Sequence, residues 1–167
     1  MEAKKPDCKE LNIYGENRLE TITWTRCASR AVIIRDGKIL LSYAEGKDEW
    51  MIPGGGREEG ETLEECCVRE AEEETGFRVK AVKHFLRLNE YYEDCLYVTD
   101  YYVCEILSEG QRHMTDEEVR IGLRPEWLPI EEALEIFSHH EDYAEINEMQ
   151  RGLYLREYLA LQEYQKC

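Results

Sequence analysis

The sequence predicts an α+β fold, a layered sheet with helices on both of its sides. Three observations carry that expectation. Apolar runs with alternating polar residues are punctuated by turn signals at hairpin spacing. A Glu-rich helix with a stop signal at each end interrupts the strands. A long amphipathic helix closes the chain. Strand, loop and helix in this order, with mostly antiparallel hairpins, belong to layered α+β proteins. Spacing alone does not name the topology.

The elements follow in chain order. Residues 1–20 are polar and weakly patterned, with a short strand at Leu11–Tyr14. Trp24–Ile34 reads as a strand whose buried core is Ala31-Val32-Ile33-Ile34. Asp36-Gly37 is a two-residue hairpin signal, and Lys38–Ala44 is the return strand. A charged loop at Glu45–Glu49 leads to an extended piece, Trp50–Pro53, that feeds three glycines. Beyond the Glu-rich helix, Arg78–Leu88 and Leu96–Ile106 read as strands joined by a connection at Asn89–Asp94. Ser108–Glu118 reads as a polar loop and Glu126–Ile130 as another extended piece. Pro129 opens a short helix at Glu131–Phe137. The last helix spans 142–165, opened by Asp142 with Glu145 three residues on. No internal repeat or low-complexity segment breaks the chain, so a single domain over 1–167 is expected.

Composition narrows the function classes. The formal net charge is −16, with 37 Asp+Glu against 21 Lys+Arg. Such a surface repels nucleic acid polymers. It also repels a phosphorylated small molecule unless a bound metal reverses the local sign. No apolar run reaches the length of a membrane span, and MEAKKPDCKE lacks the apolar centre of a secretory signal. Seven cysteines without CxxC or Cys/His spacing read as free thiols in a reducing cytoplasm. No His is placed to activate one as a nucleophile.

The chemistry concentrates at Gly55–Phe77, GGREEGETLEECCVREAEEETGF. Thr62 and Glu65 form a capping box, and Gly76 is the left-handed residue past the helix end. Leu63, Cys67 and Ala71 make the buried stripe, while Glu64, Glu65 and Glu72 lie off it. Glu70, Glu73 and Glu74 share a face at i, i+3, i+4. Helical geometry turns Glu70 and Glu74 toward the body of the protein, where an unpaired charge is costly. A hard divalent cation that takes oxygen ligands resolves the conflict.

This stretch resembles the Nudix box, G-x5-E-x7-R-E-U-x-E-E-x-G-U with U apolar. Every defined position matches: Gly55, Glu61, Arg69, Glu70, Ala71, Glu73, Glu74, Gly76 and Phe77. The looser resemblance runs from about Thr23 to Phe137. It implies an α/β/α sandwich around a mixed sheet. It also implies hydrolysis of a nucleoside diphosphate linked to another group, with Mg2+ or Mn2+ as cofactor and water attacking phosphorus. Glu70, Glu73 and Glu74 would be the metal ligands, joined by the backbone carbonyl of Gly54. Arg69 would orient the carboxylates, and Glu61 would order the loop.

The resemblance leaves the general base open between Glu70 and the Asp116–Glu118 loop, where Glu118 is the candidate. For substrate, Tyr91, Tyr92, Tyr97, Tyr101 and Tyr102 offer stacking faces, with sheet packing as the alternative; Tyr92 is the candidate contact. Arg26, Arg30, Arg87 and Lys38 offer phosphate contacts, Arg30 first, with ordinary surface charge as the alternative. No Pro follows the box at the spacing of ADP-ribose pyrophosphatases, and Tyr91 or Tyr92 resembles a dinucleoside polyphosphate marker. Nucleoside triphosphates and dinucleoside polyphosphates are therefore favoured, with nucleotide sugars as further candidates. A non-catalytic nucleotide sensor is the competing reading, and isopentenyl diphosphate isomerisation a third. His139-His140-Glu141-Asp142 looks like a metal tract but reads better as a loop entering a helix. One side of the last helix packs on the sheet, or forms a homodimer contact.

Overall fold

The computed structural model describes residues 8–167. The first seven residues of the polar N-terminus lie outside the described part. The strands are β1 (Lys9–Tyr14), β2 (Trp24–Arg35), β3 (Lys38–Ala44), β4 (Glu49–Met51), β5 (Gly54–Gly56), β6 (Phe77–Tyr92), β7 (Cys95–Glu109) and β8 (Leu123–Pro129). The helices are α1 (Leu63–Thr75), α2 (Asp116–Arg120), α3 (Ile130–Ser138) and α4 (Glu148–Gln165).

The sheet runs in the order β1-β6-β7-β2-β3-β4, with β5 on β2 and β8 on β3. It is mixed: β1 pairs β6 and β2 pairs β7 in parallel, and the remaining pairs are antiparallel. β2 is the hinge of the architecture. Its first half pairs with the glycine strand β5, and only Ile34 and Arg35 at its end pair with β3.

Alternation along β2 builds two cores on opposite faces. Val32 joins Leu41, Leu86, Tyr101, Phe137 and Leu161 under α3 and α4. Ala31 and Ile33 join Leu40, Cys67, Ala71 and Cys104 under α1. The expected α/β/α sandwich is therefore present, with α1 as one layer and α3 with α4 as the other. Among the described residues no helix is long and apolar enough to cross a membrane.

Local signals decide the turns. Asp36 and Gly37 take φ of 52° and 74°, the doubly positive pattern of a tight hairpin. Thr62 Oγ1 accepts from Glu65 N at 3.1 Å, and Glu65 returns the bond to Thr62 N at 2.8 Å. Gly76 closes α1 at φ 80°. Thr62→Ala is expected to cost about 1 kcal/mol of stability, read as a lowered urea midpoint with an unchanged slope.

Three expectations need correction. Asn89–Asp94 is not a loop: β6 and β7 run on, and only Glu93-Asp94 turn the chain. The parallel partner β1 makes the difference, because Asn89 Nδ2 donates to Glu10 and Asn12 side chains at 2.7 and 3.2 Å. Within Ser108–Glu118 a short helix, α2, begins at Asp116, capped by Thr115. The final helix starts at Glu148, six residues later than expected. Asn147 caps it, a 3-10 turn occupies His139–Tyr143, and Glu145 at φ 64° breaks the path between them. His139 and His140 are bonded to Glu135, Asp142 and Glu141 on that turn, consistent with a polar connection.

Candidate active site

Arg69 is the centre of the carboxylate cluster. Its Nε donates to Glu61 at 2.6 Å, and its Nη1 to Glu70 and Glu73 at 2.8 and 3.1 Å. Nη2 donates to the carbonyl of Gly56 at 3.1 Å, tying helix α1 to strand β5. The carboxylates hold the guanidinium proton more firmly than usual, Glu61 most of all. In return Arg69 holds Glu61 below the ordinary carboxylate range. Glu61 also accepts from Glu58 N at 3.0 Å, so it braces the loop before α1.

The helix face presents its carboxylates at graded depth. The Glu73 side chain is 36% exposed, that of Glu70 14%, and residue Glu74 6%. Burial raises Glu70 despite Arg69, and pushes Glu74 up to about 8. Glu74 accepts from Ser42 Oγ at 2.9 Å and from Gly54 N at 3.3 Å. Gly54 thus touches Glu74 through its backbone N–H. A Cβ at Gly55 would stand 2.6 Å from the Glu70 carboxylate, so the Glu70 side chain would have to swing aside. Gly55→Ala is expected to displace Glu70 and to lower turnover about a hundred-fold, the usual cost of misplacing a reacting group by about 1 Å. Steady-state kinetics beside an unchanged melting curve would show it.

Glu118 lies on α2. Its charge raises the proton affinity of both Glu70 and Glu74. Its Oε2 is buried without a hydrogen-bond partner. A buried carboxylate oxygen without a partner calls for a cation or a proton donor. The donor set, all carboxylate and backbone oxygen, fits a hard divalent ion. Among the described residues no three His, Cys, Asp or Glu side chains already converge into a ligating group. Arg69 draws Glu70 and Glu73 to itself instead.

Beside the cluster lies a cleft of about 360 Å³, lined by Arg26, Arg30, Lys47, Glu49, Tyr92, Tyr97 and Arg156 among others. Arg30 links the two: its charge is felt by Glu74, and its Nη1 donates to Ile52 O at 2.6 Å. α4 forms one wall through Met149, Gln150, Leu153 and Arg156. Arg30 and Tyr92, the expected substrate contacts, both line this cleft, although Tyr92 is only 4% exposed. Of the other tyrosines, Tyr97 lines it as well, Tyr101 is core, Tyr102 stacks on His84 and Tyr91 on Tyr14. Arg87 is spent on Asp100 at 2.9 Å, and Lys38 sits at the exposed end of the β2–β3 hairpin. The sequence reading missed Glu49, Glu90 and Arg156. No local pattern marks them, because they come together from β4, β6 and α4.

The fold is thus a sandwich that carries arginine-braced carboxylates on a capped helix, beside a cleft lined by Arg26, Arg30, Lys47 and Arg156. The chain belongs to the Nudix family, since residues 25–149 match the NUDIX domain. It is 32% identical over 109 residues to the diphosphoinositol polyphosphate phosphohydrolase NUDT4B of Homo sapiens, covering 64% of this chain and 57% of that protein. Against diphosphoinositol polyphosphate phosphohydrolase 3-alpha of Mus musculus the identity is again 32%, covering 64% and 63%. The chain thus spans about three-fifths of the length of the curated relatives it matches. A solved NUDIX hydrolase from Nitrosomonas europaea superposes with a TM-score of 0.55 at 22% identity, covering 81% of this chain and 89% of that one. That likeness shows the fold.

Proposed function

We propose that the protein is a divalent-metal-dependent hydrolase of a phosphoric anhydride in a nucleoside diphosphate linked to a further group. One observation carries the reading: Arg69 gathers Glu61, Glu70 and Glu73 beside a cleft that holds Arg26, Arg30, Lys47 and Arg156. In a chain of net charge −16, four cations against Glu49 and Glu90 leave this cleft net positive, a local reversal suited to an anionic substrate.

Glu70, Glu73 and Glu74, with the backbone of Gly54, would hold Mg2+ or Mn2+. When bound, the ion supplies neutralisation of phosphate charge and acidifies water. The chain's own groups do the rest. Arg69 fixes the direction of Glu70 and Glu73, so little reorganisation is left for the reaction. Glu118 is the proton acceptor for the attacking water, since its Oε2 accepts no hydrogen bond from the protein and can take a proton. Glu70, bonded to Arg69, is less available for that role. Arg26 contacts phosphate oxygens, while Arg30, Tyr92 and Tyr97 meet the remainder of the substrate.

The named relatives act, by their names, on diphosphoinositol polyphosphates. Two features of this cleft favour a nucleotide instead. Glu49 and Glu90 stand within it, and Met51, Met149 and Leu153 give it an apolar wall. A ring carrying many phosphates would face both. The test is product release from nucleoside triphosphates, dinucleoside polyphosphates, nucleotide sugars, ADP-ribose and diphosphoinositol polyphosphates, with Mg2+ or Mn2+ and with chelator. Chelator-sensitive turnover of the nucleotides is expected. Turnover confined to the inositol compounds would replace the nucleotide reading, and none on any member would favour a sensor.

A further inference from the structure

Five buried side-chain atoms among the described residues lack a hydrogen-bond partner, and three belong to this one cleft: Arg30 Nε, Glu90 Oε1 and Arg156 Nη2. Buried polar groups are almost always paired, so such a concentration asks for an absent partner. The rest of each side chain is already engaged. Glu90 is 2% exposed, its Oε2 accepts from the Tyr92 hydroxyl at 3.1 Å, and its Oε1 lies 3.5 Å from Arg156 Nη1 without a hydrogen bond. Arg156 gives its Nε to Glu157 at 2.9 Å, and Arg30 gives its Nη1 to Ile52 O at 2.6 Å.

All three atoms are shielded from solvent. Turned into the cleft, these side chains offer two spare donors and one spare acceptor, beside the ring of Tyr97 and the apolar side chains of Met51, Met149 and Leu153. A carbonyl oxygen carries two lone pairs and can satisfy both guanidinium donors. A ring N–H next to it satisfies the carboxylate. That pairing is the lactam edge of guanine, hypoxanthine or uracil. The corresponding edge of adenine offers a ring nitrogen with a single lone pair. A phosphate offers acceptors alone and would meet Glu90 and Glu49 as like charges.

We propose that this cleft seats a lactam-type nucleobase, guanine first, with Glu90 accepting its ring N–H and Arg30 and Arg156 donating to the neighbouring carbonyl. Glu90 is then the residue that sets base specificity. The inference rests on the nucleotide reading above and deepens it by naming the base.

Binding tests it without turnover. GMP, N1-methyl-GMP and AMP are titrated into the full chain by calorimetry with Mg2+ present. GMP is expected to bind at least about ten-fold tighter than either comparator, because a site built around a ring N–H leaves its own groups unpaired when that hydrogen is missing. Glu90→Gln, melting like wild type, is expected to shrink that gap to about three-fold or less. Absent GMP binding, equal affinities in the wild type, or full discrimination in a folded Glu90→Gln protein would overturn the proposal. The N1-methyl comparison needs only wild type, so it decides the matter even where the variant fails to fold. Discrimination without any hydrolysis would sink the catalytic reading alone. Hydrolysis without discrimination would sink this one alone.

Discussion

Glu73→Gln is expected to lower metal-dependent turnover about a thousand-fold while leaving the fold intact. A metal ion contributes several kcal/mol of charge stabilisation in a phosphoryl-transfer transition state. At 1.36 kcal/mol per decade, losing most of it gives about that factor. The variant is clean because Glu73 is the most exposed carboxylate of the cluster, and its contact with Arg69 is a partly solvated pair at 3.1 Å. Such pairs contribute about 0–1 kcal/mol, so the melting temperature should barely move. Unchanged kcat with Mg2+ would remove Glu73 from the proposed ligand set. Glu118→Gln run beside it separates two roles. A base lost there should cost about 10²–10⁴ in kcat with Mn2+ affinity retained, whereas weakened Mn2+ binding would make Glu118 a ligand.

Glu157→Ala is expected to be the most destabilising single change outside the box. Glu157 is fully buried and joins three segments. It accepts from the Tyr101 hydroxyl at 2.6 Å, from Arg156 Nε at 2.9 Å, and from the backbone N–H of Ile52. Removing it leaves Arg156 buried against Glu90 alone, at 3.5 Å without a hydrogen bond. Breaking a buried pair in this way costs about 3–5 kcal/mol. For a domain of this size that is a fall of roughly 10 °C in Tm, measured by thermal denaturation. Activity should fall too, because Ile52 leads directly into Pro53 and Gly54, whose N–H meets Glu74. Glu157→Gln retains an acceptor and should lie between. A melting curve for the alanine variant within about 2 °C of wild type would show that the pair contributes no net stability, a known outcome for buried ion pairs.

What could be read directly from the chain is what short-range physics decides. The doubly positive turn at Asp36-Gly37, the Thr62–Glu65 box and the left-handed Gly76 are settled within four residues of backbone, and each stands where its pattern says. The inward turn of Glu70 and Glu74 followed from 3.6-residue periodicity, and both are shielded as expected. Arg69 reaching Glu73 is the i, i+4 spacing made visible. Its reach to Glu61 and to the Gly56 carbonyl was not legible from spacing and appears only in the folded chain.

The misreadings share a cause. Asn89 looked like a turn residue because its polar side chain satisfies itself locally in an isolated strand, yet β1 pairs alongside and takes it into the ladder. Asp142 looked like a helix cap, but Asn147 captures Gln150 N instead, and the chain before it packs as a 3-10 turn against α4. Helix and strand limits depend on neighbours that local propensity does not see.

By itself the sequence determined the carboxylate face and the motif that carries the family resemblance, because both lie within one continuous stretch, and the layered α+β class, because the order of elements along the chain is written locally. Only the tertiary structure decided the cleft. Arg30 on β2, Glu49 on β4, Glu90 on β6 and Arg156 on α4 are up to 126 residues apart in a chain of 167. Their convergence depends on the parallel pairing of β2 with β7 and on α4 lying across the sheet. Contacts of that kind are closed by global packing, and no local pattern encodes which distant partner a buried charge will meet.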